Sequence, residues 1–185
     1  MNSEILVKTA LELGAYKAEL IKAQDIVLSS EFRDICASNA CGFYGRCWMC
    51  PPYIGEIDVL MDKVRSFSNA LIYQTVATIE DSFDIEGMGR GGLNHSRISR
   101  NIGKAVAPLI KGDSLHLICG GCRFCEKCAK ADNLPCFYPE EALSSMEGYG
   151  IDVYRTTKNT SLKYINGQNT VTFFSIILFS EDIDV

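Results

Sequence analysis

The chain has 185 residues, of which 47% are hydrophobic, and a formal net charge of −5. That length suits a single domain, here residues 1–185, with a substantial core, and the acidic balance argues against a nucleic-acid binder driven by phosphate neutralisation. No basic head followed by an unbroken apolar run opens the chain, and "VTFFSIILF" is too short to cross a bilayer as a helix. The expectation is a cytoplasmic protein with no membrane or nucleic-acid partner, its oligomeric state left open.

In chain order, "SEILVKTALELG" and "YKAELIKA" place apolar residues at helical spacing, with Ser3 as N-cap and Gly14 as a break. "DIVLS" reads as a short strand leading toward Cys36. "GEIDVLMDKVRSFSNA" is an amphipathic helix, and "ALIYQTVATI" a strand rich in β-branched and aromatic residues. "EGMGRGGLNHS" reads as a flexible glycine-rich connection, followed by a helix, "RISRNIGKAVAPLIKG", that bends or ends near Pro108. "DSLHLIC" is a strand, and "GIDVYRTT" and "TVTFFSIILFS" are read as two more, with "NGQN" as a tight turn between them. Helices alternating with strands predict an α/β single-domain sandwich, with the two cysteine-rich loops, 36–52 and 119–139, at the sheet edge.

Nine cysteines need an account. All fall in those two loops, and residues 51–118 contain none. An odd count without a secretion signal argues against a disulfide framework, whereas clustering favours metal. In the second loop, Cys119, Cys122, Cys125 and Cys128 recur every third residue and Cys136 follows. Such a C-x2-C-x2-C run with a distal cysteine is the ligand logic of ferredoxins, because a tightly turning loop can serve three corners of a cubane. Zinc more often takes two separated C-x2-C pairs, so five close thiols suit a [4Fe–4S] cluster better and leave zinc as the alternative. Cys119 ends an apolar strand and is the spare thiol. Cys122, Cys125, Cys128 and Cys136 are the ligands.

The first loop spaces Cys36, Cys41, Cys47 and Cys50 by x4, x5 and x2, which matches no standard motif. Pro51 and Pro52 stiffen the exit, and Phe43, Tyr44, Trp48 and Tyr53 supply apolar bulk around the thiols. Gly42 and Gly45 are read as allowing close backbone approach to sulfur. Cys36, Cys41 and Cys50 are the primary ligands and Cys47 the open fourth. Four thiolates would make an electron-transfer centre. Three would leave one iron open to a substrate.

The order C-x4-C-x-x-Y-G-x-x-W-x-C-P-P, then C-x2-C-x2-C-x7-C-x2-P-E, then "SMEGYGIDV" resembles a prokaryotic family of predicted metal-binding proteins of unknown function, over about Gly14 to Val153. The resemblance implies metal ligation by Cys36, Cys41 and Cys50 and by Cys122, Cys125, Cys128 and Cys136, with no fixed family position matching Cys47 or Cys119. Such proteins are common in anaerobic microbes. Together these readings give one or two [4Fe–4S] clusters in a redox or electron-transfer role, with a redox protein partner or a small-molecule substrate. The alternatives are an enzyme with an open iron, acting on a small substrate, sulfur compounds included, and a structural zinc module.

Other motifs are weaker. "EGMGRGGLNHS" matches neither phosphate-loop pattern. His95 and His116 read as structural, and Arg90, Arg97, Arg100 and Lys104 as a solvated helix face. Glu140, Glu141 and Glu147 read as surface residues. No catalytic arrangement is legible.

Overall fold

Two alternating faces of one β-sheet organise the chain. A computed structural model describes residues 3–180, with the side chain of Ser3, and therefore the capping role read for it, outside the described set. The elements are α1 (Ser3–Glu12), β1 (Lys17–Lys22), α2 (Phe32–Ala37), α3 (Ile57–Arg65), β2 (Asn69–Thr78), α4 (Ile85–Val106), β3 (Ser114–Ile118), β4 (Ser144–Ser145), α5 (Val153–Thr157) and β5 (Thr170–Phe179), with short 3-10 turns between. The strands lie in the order β1-β2-β5-β3-β4, antiparallel except for the β3–β4 pair.

The side-chain period of two sends alternate residues of β2 and β5 to opposite layers. Leu71, Tyr73, Ile177 and Phe179 pack with Leu6 and Ala10 of α1 and Ile102 and Val106 of α4. Ala70, Ile72, Phe174, Ile176 and Leu178 pack with Leu60 and Val64 of α3 and with Met146, Tyr149 and Ile151. The result is the α/β sandwich expected, with helices on both faces. Both cysteine loops gather where β3 and β4 end, at the sheet edge.

Four local readings are corrected, the first being that "DIVLS" contributes only the bridge residue Leu28 and no strand. Residues 17–22 form a strand and not a helix: their helix-favouring composition is overridden by pairing along the whole of β1 with β2, from Lys17↔Gln74 to Lys22↔Asn69. The glycine-rich "EGMGRGGLNHS" lies inside α4. Asp84 caps that helix, accepting a hydrogen bond from the Gly87 amide at 2.7 Å. Gly91 and Gly92 face the sheet: a Cβ on Gly91 would come within 2.8 Å of the Ala77 side chain and 2.9 Å of Phe173. Finally, "GIDVYRTT" contributes only an isolated bridge, Ile151 to Leu28, before turning into α5, whose cap Asp152 accepts from the Arg155 amide at 2.8 Å. The "NGQN" segment therefore leads into β5 without closing a hairpin. Pro108 does end a helix, within a 3-10 turn at 107–109. Gly14, at φ +109, does follow the end of α1.

Candidate metal centre

The first loop starts on a helix and ends in a turn. Cys36 lies in α2; Ser38 and Asn39 close that helix, with Asn39 at φ 55 and its side chain accepting from the Tyr44 amide at 3.0 Å. Gly42 and Gly45 take φ 76 and 68, and a Cβ on either would meet nothing within 4 Å. They supply left-handed backbone. Cys47 and Cys50 open and close a tight turn in which the Cys50 amide donates to the Cys47 carbonyl at 3.1 Å.

The second loop leaves β3 through Cys119, whose amide donates to the Phe174 carbonyl at 3.0 Å, and Gly120 at φ 67. Cys119 packs against the core layer that holds α3, and burial pushes its thiol up to about 12. The loop then runs without strand, through a 3-10 turn at Ala129–Asp132, to Cys136.

These two loops are docked on each other. The Trp48 indole donates to the Leu134 carbonyl at 2.8 Å, Lys130 lies over the Trp48 and Tyr53 rings at 5.0 and 4.7 Å, and the Phe43 ring covers Gly121. Docking sorts the thiols into two cavities. Cys36, Cys41 and Cys50 line one of about 230 Å³, walled by Ile35, Phe43, Tyr44 and Pro51. Cys122, Cys125, Cys128 and Cys136 line a second, narrow one of about 20 Å³, with Cys47 as a fifth thiol. The Cys47–Cys50 turn is thus the wall between them. Its spacing reads as a pair for one site, yet the structure divides it across two.

Electrostatics follow from this crowding. Hydrogen bonding between their thiols lowers Cys47 and raises Cys50. Burial, then the neighbouring Cys41 and Glu147, raises Cys36. Desolvation, then Cys122, Cys136 and Cys128, raises Cys125. Thiolates gathered this way repel one another unless a cation lies among them. Among the described residues, no three His, Cys, Asp or Glu side chains are grouped closely enough to hold a single metal ion.

Two residues escape the sequence reading. Arg100 is buried, and not on a solvated helix face: its guanidinium donates to the carbonyls of Glu141 (2.9 Å) and Ser96 (3.0 Å), to the Ser96 hydroxyl, and to Cys122 Sγ at 3.6 Å, while lying 4.9 Å from the Phe124 ring. Glu147 is half-buried and lines the first cavity beside Cys36, Cys41 and Cys50, where burial raises its carboxyl. The only hint of this in the sequence is its place in "SMEGYG". The other cations behave as expected: Arg90 and Arg97 stay exposed, and Lys104 pairs with Glu141 at 2.5 Å.

The histidines belong to the scaffold. His95 is hydrogen-bonded to Thr75 Oγ1 at 2.8 Å and Ser175 Oγ at 2.9 Å, and His116 to the Tyr73 hydroxyl at 2.8 Å. Neither lines a cysteine cavity. Among the described residues, no helix is long and apolar enough to cross a membrane.

No curated protein and no solved structure matches the chain. A family model described as "Predicted metal-binding protein (DUF2284)" matches residues 19–179 and so takes in both cysteine loops and β5. The chain belongs to that family.

Proposed function

We propose that this metal-binding protein carries two adjacent iron–sulfur centres and passes electrons between them and a redox partner. The observation that carries the reading is the division of eight thiols into two cavities sharing the Cys47–Cys50 turn. The donor chemistry fits. The second cavity offers thiols without histidine or carboxylate, a soft set that selects iron–sulfur clusters or zinc over hard cations. The first offers three thiols and one carboxyl around space for a group of several atoms. Cys122, Cys125, Cys128 and Cys136 would hold one cluster, and Cys36, Cys41 and Cys50 the other. A bound cluster supplies reversible one-electron chemistry.

The remaining steps fall to the chain itself. Phe43, Tyr44 and Pro51 wall the first centre from water, and Phe124, Phe137 and Tyr138 the second. Lower solvent access and hydrogen bonds to sulfur set reduction potential. Arg100 supplies such a donor at Cys122.

One observation favours a second reading for part of the site. At about 20 Å³ the second cavity has room for about one water-sized sphere, so a lone zinc ion needs less rearrangement of that loop than a cubane does. Anaerobic purification followed by assay of iron, acid-labile sulfide and zinc decides between them. Two clusters predict about eight irons and eight sulfides per chain. About one zinc with about four irons assigns zinc to the second cavity, and zinc without sulfide rejects iron–sulfur chemistry altogether.

A further inference from the structure

The first cavity has three cysteines where a closed four-ligand centre needs four donors. Cys47 is the nearest thiol in sequence, but it lines the other cavity. Glu147 is the remaining ligand-type side chain on the wall shared by Cys36, Cys41 and Cys50.

Its position is set by hydrogen-bonded backbone. Ser145 of β4 pairs with Ile118, and the Met146 amide donates to the Ile118 carbonyl at 2.8 Å. The turn that follows is closed by the Gly148 amide on Ser145 Oγ (2.9 Å) and the Gly150 amide on the Glu147 carbonyl (3.0 Å). A side chain at 148 is excluded, since its Cβ would come within 2.9 Å of Ile54 and 3.0 Å of Ser145 Oγ. The Gly120 amide approaches Glu147 Oε2 at 3.4 Å, so the second cysteine loop orients the carboxyl of the first site. Ligands held by paired strands and a locked turn are placed more accurately than ligands on free loops.

We propose that Glu147 is the fourth, oxygen donor of the Cys36/Cys41/Cys50 centre. This inference rests on the iron–sulfur reading above. The site then takes a metal centre with three soft donors and one hard donor, and the metal atom facing Glu147 differs from its three neighbours. A carboxylate is a weaker partner than thiolate for such a metal, so that atom is the one a small-molecule donor entering the cavity would reach.

The test compares wild type, Glu147→Gln and Glu147→Cys, each loaded anaerobically with isotopically enriched iron and sulfide. Iron and sulfide are assayed per chain and the iron environments resolved by Mössbauer spectroscopy. In wild type, about one iron per chain carries a signature distinct from tetrathiolate iron. Glu147→Gln loses that signature and about one iron per chain with sulfide unchanged, and Glu147→Cys restores the iron with thiolate-like parameters. A Glu147→Gln protein with full iron and the wild-type spectrum overturns the assignment while leaving the two-centre reading intact. Wild-type protein without iron and sulfide overturns both. Matching thermal melts of the metal-free proteins exclude misfolding as the cause of iron loss.

Discussion

Arg100 places a positive charge in the wall between α4 and the second cysteine loop, held by two carbonyls, a hydroxyl and an aromatic ring. Desolvating a guanidinium is costly unless its donors are met. Here the remaining donor points at Cys122 Sγ. A hydrogen bond to a charged group contributes about 1.5–3 kcal/mol. Since thiolate charge grows when a cluster is reduced, Arg100→Gln should make the second centre harder to reduce. The expected shift is on the order of 50 mV to more negative potential, read by spectroelectrochemical titration. Arg100→Lys, with the charge but without the planar fork, should fall between the two. An unchanged potential in Arg100→Gln would show that the guanidinium only supports packing. Cys119 provides a contrast at the same scale. It packs in the core and lines neither cavity, so Cys119→Ala should leave iron content as it is in wild type.

At the scale of elements, α4 shows what glycines do inside a helix. Gly91 lets the helix lie against Ala77 and Phe173, whereas a methyl added at Gly89, on another face, would meet nothing within 4 Å. Gly91→Ala should therefore destabilise by about 1–3 kcal/mol through overpacking. Gly89→Ala should stabilise by up to about 1 kcal/mol through helix propensity. Chemical denaturation of the two variants separates these effects, and equal shifts would reject the close-packing account.

The same helix explains why part of the fold is hidden in the sequence. Glycine density reads as a loop unless Asp84 is recognised as a cap and the run that follows as a contact face. Residues 17–22 read as helical for a different reason: six residues with mixed composition carry little periodicity, and pairing with β2 decides their state. The long strands, α3 and the helical part after residue 97 are legible because apolar periodicity is sustained. At the site, local spacing identifies the cysteine loops, and the apolar strand that precedes Cys119 sets that thiol apart. Spacing cannot show that Cys47 and Cys50 face different cavities, or that Glu147 and Arg100 reach them, because those relations arise only when segments distant in the chain dock on one another.

The whole molecule places two thiol-lined cavities on one sheet edge and keeps its histidines out of them. Burial lowers His95 to about 4 and His116 to about 3, so both are neutral in the folded protein near pH 7. The unfolded chain takes up these protons from pH 6.5 downward, while the folded protein does so only near pH 4 and 3. Their contribution to stability is thus full above pH 6.5 and lost as pH falls through that window. For metal-free protein, unfolding free energy should decline with a slope of about 1.4 kcal/mol per pH unit for each histidine. His116→Gln should lower stability at neutral pH and halve the slope, as measured by urea denaturation at several pH values. A flat profile between pH 6.5 and 4 would contradict the buried, neutral assignment.

The central claim is that the thiols divide into two separate metal centres that meet at the Cys47–Cys50 turn. The most direct measurement is the iron and sulfide content of anaerobically prepared Cys41→Ala and Cys125→Ala proteins beside wild type. The account predicts that each variant loses about half of both and retains the spectrum of the other centre. Loss of all iron from either variant, or full retention in both, would contradict it.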